Sequence, residues 1–192
     1  PALGFAVPSR HPILSPPQGP PMTEQAAVPS VPAAAHAEPR VRRFDAQRWM
    51  IDNVIRANGI DWDQPRSIYL NAPCGTEANA DFAGIRERVR KMADIGPAFA
   101  AVARRRQAKA EAAEADGHPV TARDNYYIAA INWAAAQWPY DSNNADHLAC
   151  NARQRACHTK YAAFAAHDVK PEWIPIEGTA LPASIHLPPG NR

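Results

Sequence analysis

The placement of glycine and proline constrains this chain more than any other feature. Proline lacks an amide donor and clashes with the preceding helical turn, and glycine has the most backbone entropy to lose on ordering. Asn58-Gly59, Gly96-Pro97, Gly117-His118-Pro119 and Pro139 cut residues 40–168 into stretches of helix length. Within each stretch, apolar residues recur at three- and four-residue spacing, the pattern of a helix with one buried face. The spacing predicts a helix over 44–57 carrying Phe44, Trp49, Met50, Val54 and Ile55. A second covers 79–95 through Phe82, Ile85, Val89 and Met92, and Gly96 stops it. Pro97 then opens a third helix, at a position where its missing donor is an orphan anyway, and that helix runs to about Asp116. In the fourth, Thr121-Ala122-Arg123-Asp124 has the form of a capping box, and Tyr127, Ile131, Ala134 and Trp138 share a face. The fifth covers 143–167 with Leu148, Cys157, Tyr161 and Phe164 turned inward. Residues 60–76 read as irregular, with a short helical turn at Pro65–Leu70. Residues 40–168 are therefore expected to form an all-α domain of about five helices, packed closely through alanine.

The two ends differ from this middle. Ten of the twenty prolines lie in residues 1–39, with almost no large apolar side chain after Leu14. Such a segment cannot bury enough apolar surface to offset the entropy of ordering, so a disordered tail of polyproline character is expected. From Val169 the period changes to two. Glu172-Trp173-Ile174-Pro175-Ile176-Glu177 alternates like a strand, Gly178-Thr179 supplies a turn, and Leu181 to Leu187 reads as a second strand. Residues 169–192 are expected to be a β-hairpin. The fold class is thus mainly α, with a short hairpin after the helices. A lone hairpin is marginal in water.

Several function classes are disfavoured. A formal net charge of +2 is too small to imply a polyanionic partner, so no nucleic-acid binding is expected. Arg104-Arg105-Arg106 with Lys109 is offset by Glu111, Glu114 and Asp116 and reads as a solvated helix face. No run of eighteen apolar residues occurs, so no membrane association is expected. Three cysteines, Cys74, Cys150 and Cys157, suggest a reducing, cytoplasmic setting. His147, Cys150, Cys157 and His158 invite a metal reading. However, Cys150 and Cys157 lie two helical turns apart, roughly 10 Å along the axis, too far to share one zinc. No metal and no cofactor is expected, and Cys74 has no fixed histidine partner to make it a nucleophile. The chain opens on Pro1, its first methionine is Met22, and residues 1–21 lack the cationic start of a signal peptide.

The segment Glu172 to Pro188 is an apolar–Pro–apolar–Glu–Gly strand, a turn, then Leu-Pro and a strand ending in proline. It resembles the opening hairpin of certain α/β-hydrolases, with Ala183 where those carry glycine. Upstream, Arg123-Asp124-Asn125-Tyr126-Tyr127, Trp138-Pro139 and Cys157 to Tyr161 resemble the helical domain that precedes this hairpin. The group includes FrsA-like esterases, dihydroxypseudooxynicotine hydrolases and fungal polyketide-shortening hydrolases. The resemblance implies a serine hydrolase with a helical cap, acting on ester or carbon–carbon bonds of small ketone, ester or aromatic substrates. It also implies a homodimer formed through the helical domain.

Such chemistry needs a serine in a Gly-x-Ser-x-Gly turn. Ser9, Ser15, Ser30, Ser67, Ser142 and Ser184 all lack flanking glycines at minus two and plus two. No catalytic residue is therefore expected here, and the chain reads as the N-terminal fragment of a truncated α/β-hydrolase, inactive alone. The substrate-binding candidates on the cap are Arg123, Asn125, Tyr126 and Trp133, the last two because they lie off the Tyr127–Trp138 face. The alternative is an independent helical protein-interaction module without catalysis.

Overall fold

The computed structural model describes residues 43–177 and 179–189. The expected disorder of residues 1–39 falls outside them. Five α-helices follow in order: α1 Arg43–Asn58, α2 Glu77–Arg88, α3 Met92–Ala115, α4 Pro119–Ala135 and α5 Ala145–Phe164. Short 3-10 turns at Ile60–Trp62 and Ala72–Cys74, with a π-turn at Pro65–Tyr69, fill the link between α1 and α2. An antiparallel hairpin, β1 Val169–Ile176 and β2 Thr179–His186, ends the described chain. The mainly helical fold with a terminal hairpin is as expected, and two helix boundaries are not.

The second boundary lies at Val89–Lys91, not at Gly96. Asp94 accepts from the backbone amides of Arg90 at 3.0 Å and Lys91 at 3.1 Å, and Asp52 of α1 accepts from the amide of Met92 at 2.6 Å. Two carboxylates thus satisfy the orphan donors of a helix start here. Gly96 and Pro97 are left inside α3. Gly96 is a packing residue: a Cβ there would lie 3.2 Å from the Tyr140 hydroxyl and 3.3 Å from both the Ala136 carbonyl and Pro139 Cγ.

The fourth helix starts at Pro119, two residues before the expected capping box. Proline at the first helical position removes an amide that has no partner there. The Thr121–Asp124 box does not form; Asp124 pairs with Arg123 at 2.8 Å instead. The start of α5 is capped by the Asn144 side chain, which accepts from the amide of His147 at 2.9 Å.

Helix α4 packs on α3 along one side and on α5 along the other. Ala98, Ala103, Ala110, Ala122, Ala129 and Ala136 are all buried, which lets the backbones approach closely. Between them stand Phe82, Ile85, Ile95, Phe99, Val102, Tyr126 and Trp133. Leu148, expected inside, is exposed, as are Trp49 and Met50 of α1.

The hairpin register runs from Val169 opposite His186 to Ile176 opposite Thr179. Pro171, Pro175 and Pro182 all fall in one alternating set of rows, those of Pro171–Ser184, Trp173–Pro182 and Pro175–Ala180. Proline cannot donate to a ladder, so these are the rows whose amides point outward. With Val169–His186 these make four outward rows, in which β1 lacks two donors and β2 lacks one. Among the described residues no helix is long and apolar enough to cross a membrane.

Candidate functional site

The site is built on a buried cation. Arg106 lies on the face of α3 that meets both α2 and α4, and its side chain is 9% exposed. Its Nε donates to Asp81 Oδ2 at 2.6 Å, and its Nη1 donates to Glu77 Oε2 at 2.5 Å and to Asn125 Oδ1 at 3.0 Å. Arg105 donates to the other oxygen of Asp81. Burial alone pushes the Arg106 pKa down, but Glu77 and Asp81 outweigh it and the group stays cationic. The guanidinium fork satisfies two carboxylates and an amide at once, as its planar donor set allows. Asn125 donates from Nδ2 to the Thr121 carbonyl at 2.9 Å, which locks the first turns of α4 to the network.

In front of this network lies a cleft of about 740 Å³ between the starts of α2 and α4. Cys74, Ile128, Tyr127 and Tyr161 give it an apolar side, with the two tyrosine rings 5.1 Å apart. Its rim carries two self-neutralising pairs, Arg123 with Asp124 at 2.8 Å and Lys109 with Glu77 at 3.9 Å. The volume is that of a small-molecule site.

Arg123 and Asn125, expected to touch substrate, do line this cleft. Asn125, however, is 4% exposed and committed to Arg106 and Thr121. Tyr126 and Trp133 do not line it. Tyr126 is buried against Phe164, with a ring separation of 6.4 Å, and donates to Glu114 at 2.6 Å. Trp133 is 1% exposed and donates from Nε1 to Gln107 at 3.0 Å. The aromatic residues that reach the cleft are Tyr127 and Tyr161, both of which the sequence assigned to the core. Arg106, Tyr161 and Lys109 were missed as site residues. Only the inward position of Tyr161 had been legible.

Among the described residues no histidine lines the cleft, and its two carboxylates, Glu77 and Asp124, are each paired with a cation. Burial pushes the Cys74 thiol up to about 11, with Arg106 lowering it and Asp81 raising it. A thiol so placed is a poor nucleophile near neutral pH. The tyrosine rings and the paired rim charges equip the cleft for binding. Among the described residues no group of three or more His, Cys, Asp or Glu could hold a metal ion. No protein-family model, curated protein or solved structure matches this chain.

Proposed function

We propose that residues 43–189 are the cap domain and opening strands of an α/β-hydrolase that cleaves ester or carbon–carbon bonds of small ketone, ester or aromatic substrates. In this reading the cleft beside Tyr127 and Tyr161 supplies the cap side of the substrate pocket. The nucleophile lies outside these 192 residues, since no serine here sits in the required turn.

The observation that carries the reading is the exposed apolar surface of the hairpin, on which Trp173 is 60% exposed on one face and four aliphatic residues stand on the other. Ile174, Ile176, Leu181 and Ile185 share one face, by register, and are each 44–51% exposed. Two strands cannot bury such a face, and a larger sheet with its own covering layer can. The proline pattern agrees, because β2 keeps more outward donors than β1 for a further strand to use.

The test is the transcript beyond the Arg192 codon together with a labelling experiment. A Gly-x-Ser-x-Gly elbow after a strand pattern is expected downstream, and fluorophosphonate should leave the 192-residue chain unlabelled. A downstream sequence without that elbow in any frame overturns the reading. So does covalent labelling of any of the six serines.

A further inference from the structure

The hairpin meets α5 across a groove of about 520 Å³ lined by Gln154, His158, Trp173 and Pro182. None of its described residues joins the buried core. Its attachment therefore depends on its base. There the Leu187 amide donates to the Asp168 carbonyl at 2.9 Å. Beside this bond, His167 Nε2 and His186 Nδ1 stand 2.8 Å apart. The ring centroids are 5.1 Å apart, so the two nitrogens point at each other along the line between the rings. That is the geometry of a straight N–H···N bond, which holds one hydrogen. Two lone pairs aimed at each other also cannot converge on a shared metal ion.

We propose that His167 and His186 are a one-proton latch: it closes the hairpin base near neutral pH and opens when both rings are charged. The proposal stands apart from the hydrolase reading. A neutral pair has one facing N–H and one facing lone pair. A first proton adds to an outer nitrogen and leaves the bridge intact. A second puts a hydrogen on both facing nitrogens, and the bridge becomes a contact between two cations. Histidine is the side chain whose charge changes between about pH 5 and 8.

The surrounding groups are few. From α5 come His158, Tyr161 and Lys160, the last held by Glu114 at 2.6 Å. Burial first, and then the charge of His186, push the His158 pKa down, so this third histidine resists taking the proton. The linker contributes Asp168, and β1 contributes Lys170 and Glu172. Strand β2 carries no other charged residue.

The experiment is hydrogen exchange of the full chain between pH 7 and 5, corrected for the intrinsic rate. Opening at the amides of Lys170 and Leu187, which lie in the inward-bonded rows, should rise about tenfold per pH unit once the second proton binds, the slope of a single proton. Amides of α4 should not follow. H186Q keeps a polar side chain that cannot charge, and its hairpin should show no such slope. H158Q should behave as wild type. A flat wild-type profile overturns the latch, as does an H186Q slope equal to wild type, or a slope lost in H158Q alone. Should H186Q leave the hairpin open at every pH, the ring nitrogens of the wild-type chain decide by NMR. One protonated and one bare facing nitrogen at neutral pH support the latch; two protonated facing nitrogens overturn it.

Discussion

Arg106 is the third of three consecutive arginines, and the run reads from sequence as a single solvated face. The structure separates them, because each step along a helix turns the side chain by about 100°. Only Arg106 has the phase to meet Asp81 on α2 and Asn125 on α4 together, and that partnership crosses 25 residues. Local sequence carries no signal for it. Its energetic meaning lies in what removal leaves behind. Asp81 is 6% exposed, and without Arg106 it would keep only the half-exposed Arg105 as partner. A fully stripped buried carboxylate costs about 3–5 kcal/mol, so R106M should destabilise the chain by less than that in urea unfolding, and D81N combined with R106M should recover part of the loss. The pH profile should change in step. Hydrogen bonding to Arg106, and then the charge of Lys109, hold the Glu77 carboxyl below its ordinary 4.5. A carboxyl depressed in the folded state stabilises above its unfolded value, and that stability is lost as the pH falls through the folded one. The wild-type chain should lose stability as the pH drops below about 4.5, and R106M should lose less over the same window. The cysteines give a second prediction at this scale. Burial pushes both Cys74 and Cys157 up to about 11 from an ordinary 9.0. Two units correspond to about 100-fold less thiolate near neutral pH. Alkylation followed by mass spectrometry should find both thiols at least that much slower in the folded chain than in urea.

Helix α4 shows why periodicity located the helices and still misassigned a face. A helix packed on one side shows its buried stripe as a clean period. Helix α4 is packed by α3 on one side and α5 on the other, so Ala122, Tyr126, Ala129, Trp133 and Ala136 are buried together with Ile128 and Ala135. Apolar residues then occur almost all round, and the stripe chosen from Tyr127, Ile131, Ala134 and Trp138 was the less buried one. Glycine gave the opposite error. Gly96 looked like a stop because glycine often is one, whereas here it permits close approach of the segment Ala136–Tyr140. That approach joins residues about forty positions apart, which no local reading of the chain reaches. The two helical glycines separate the effects. Gly84 of α2 has nothing within 4 Å of a built Cβ, so G84A should gain about 0.5–1 kcal/mol from helix propensity. G96A gains the same propensity but meets the Ala136 carbonyl at 3.3 Å, and a backbone oxygen in a packed turn yields little. Overpacking of this kind costs about 1–3 kcal/mol, so G96A should melt lower than wild type while G84A melts higher.

At the scale of the whole described chain, the helices and the hairpin are unequal partners. The division itself was legible, because a change of hydrophobic period from near four to two survives any packing arrangement. What the sequence did not show is how little joins the two parts. The buried cluster draws on α1 to α5 and takes in Phe164 at its edge, and it includes no described residue beyond that. Hydrophobic stabilisation follows buried apolar area, and the hairpin leaves Trp173, Ile174, Ile176, Leu181 and Ile185 between 44% and 60% exposed. The hairpin therefore contributes little to the cooperative unit that unfolds, and its own amides should exchange through local opening well below the global free energy. Removing residues 169–192 should leave a chain that still melts in one transition, with a midpoint within about 4 °C of the original, since less than about 1 kcal/mol is at stake. Far-ultraviolet circular dichroism with temperature measures this directly. A collapse of the helical transition on removal would mean that the hairpin supports the α4–α5 pairing through contacts across the His158 groove. A surviving transition would place the helical domain as an independently folding platform, on which the apolar face of the hairpin is free to be completed by further sheet.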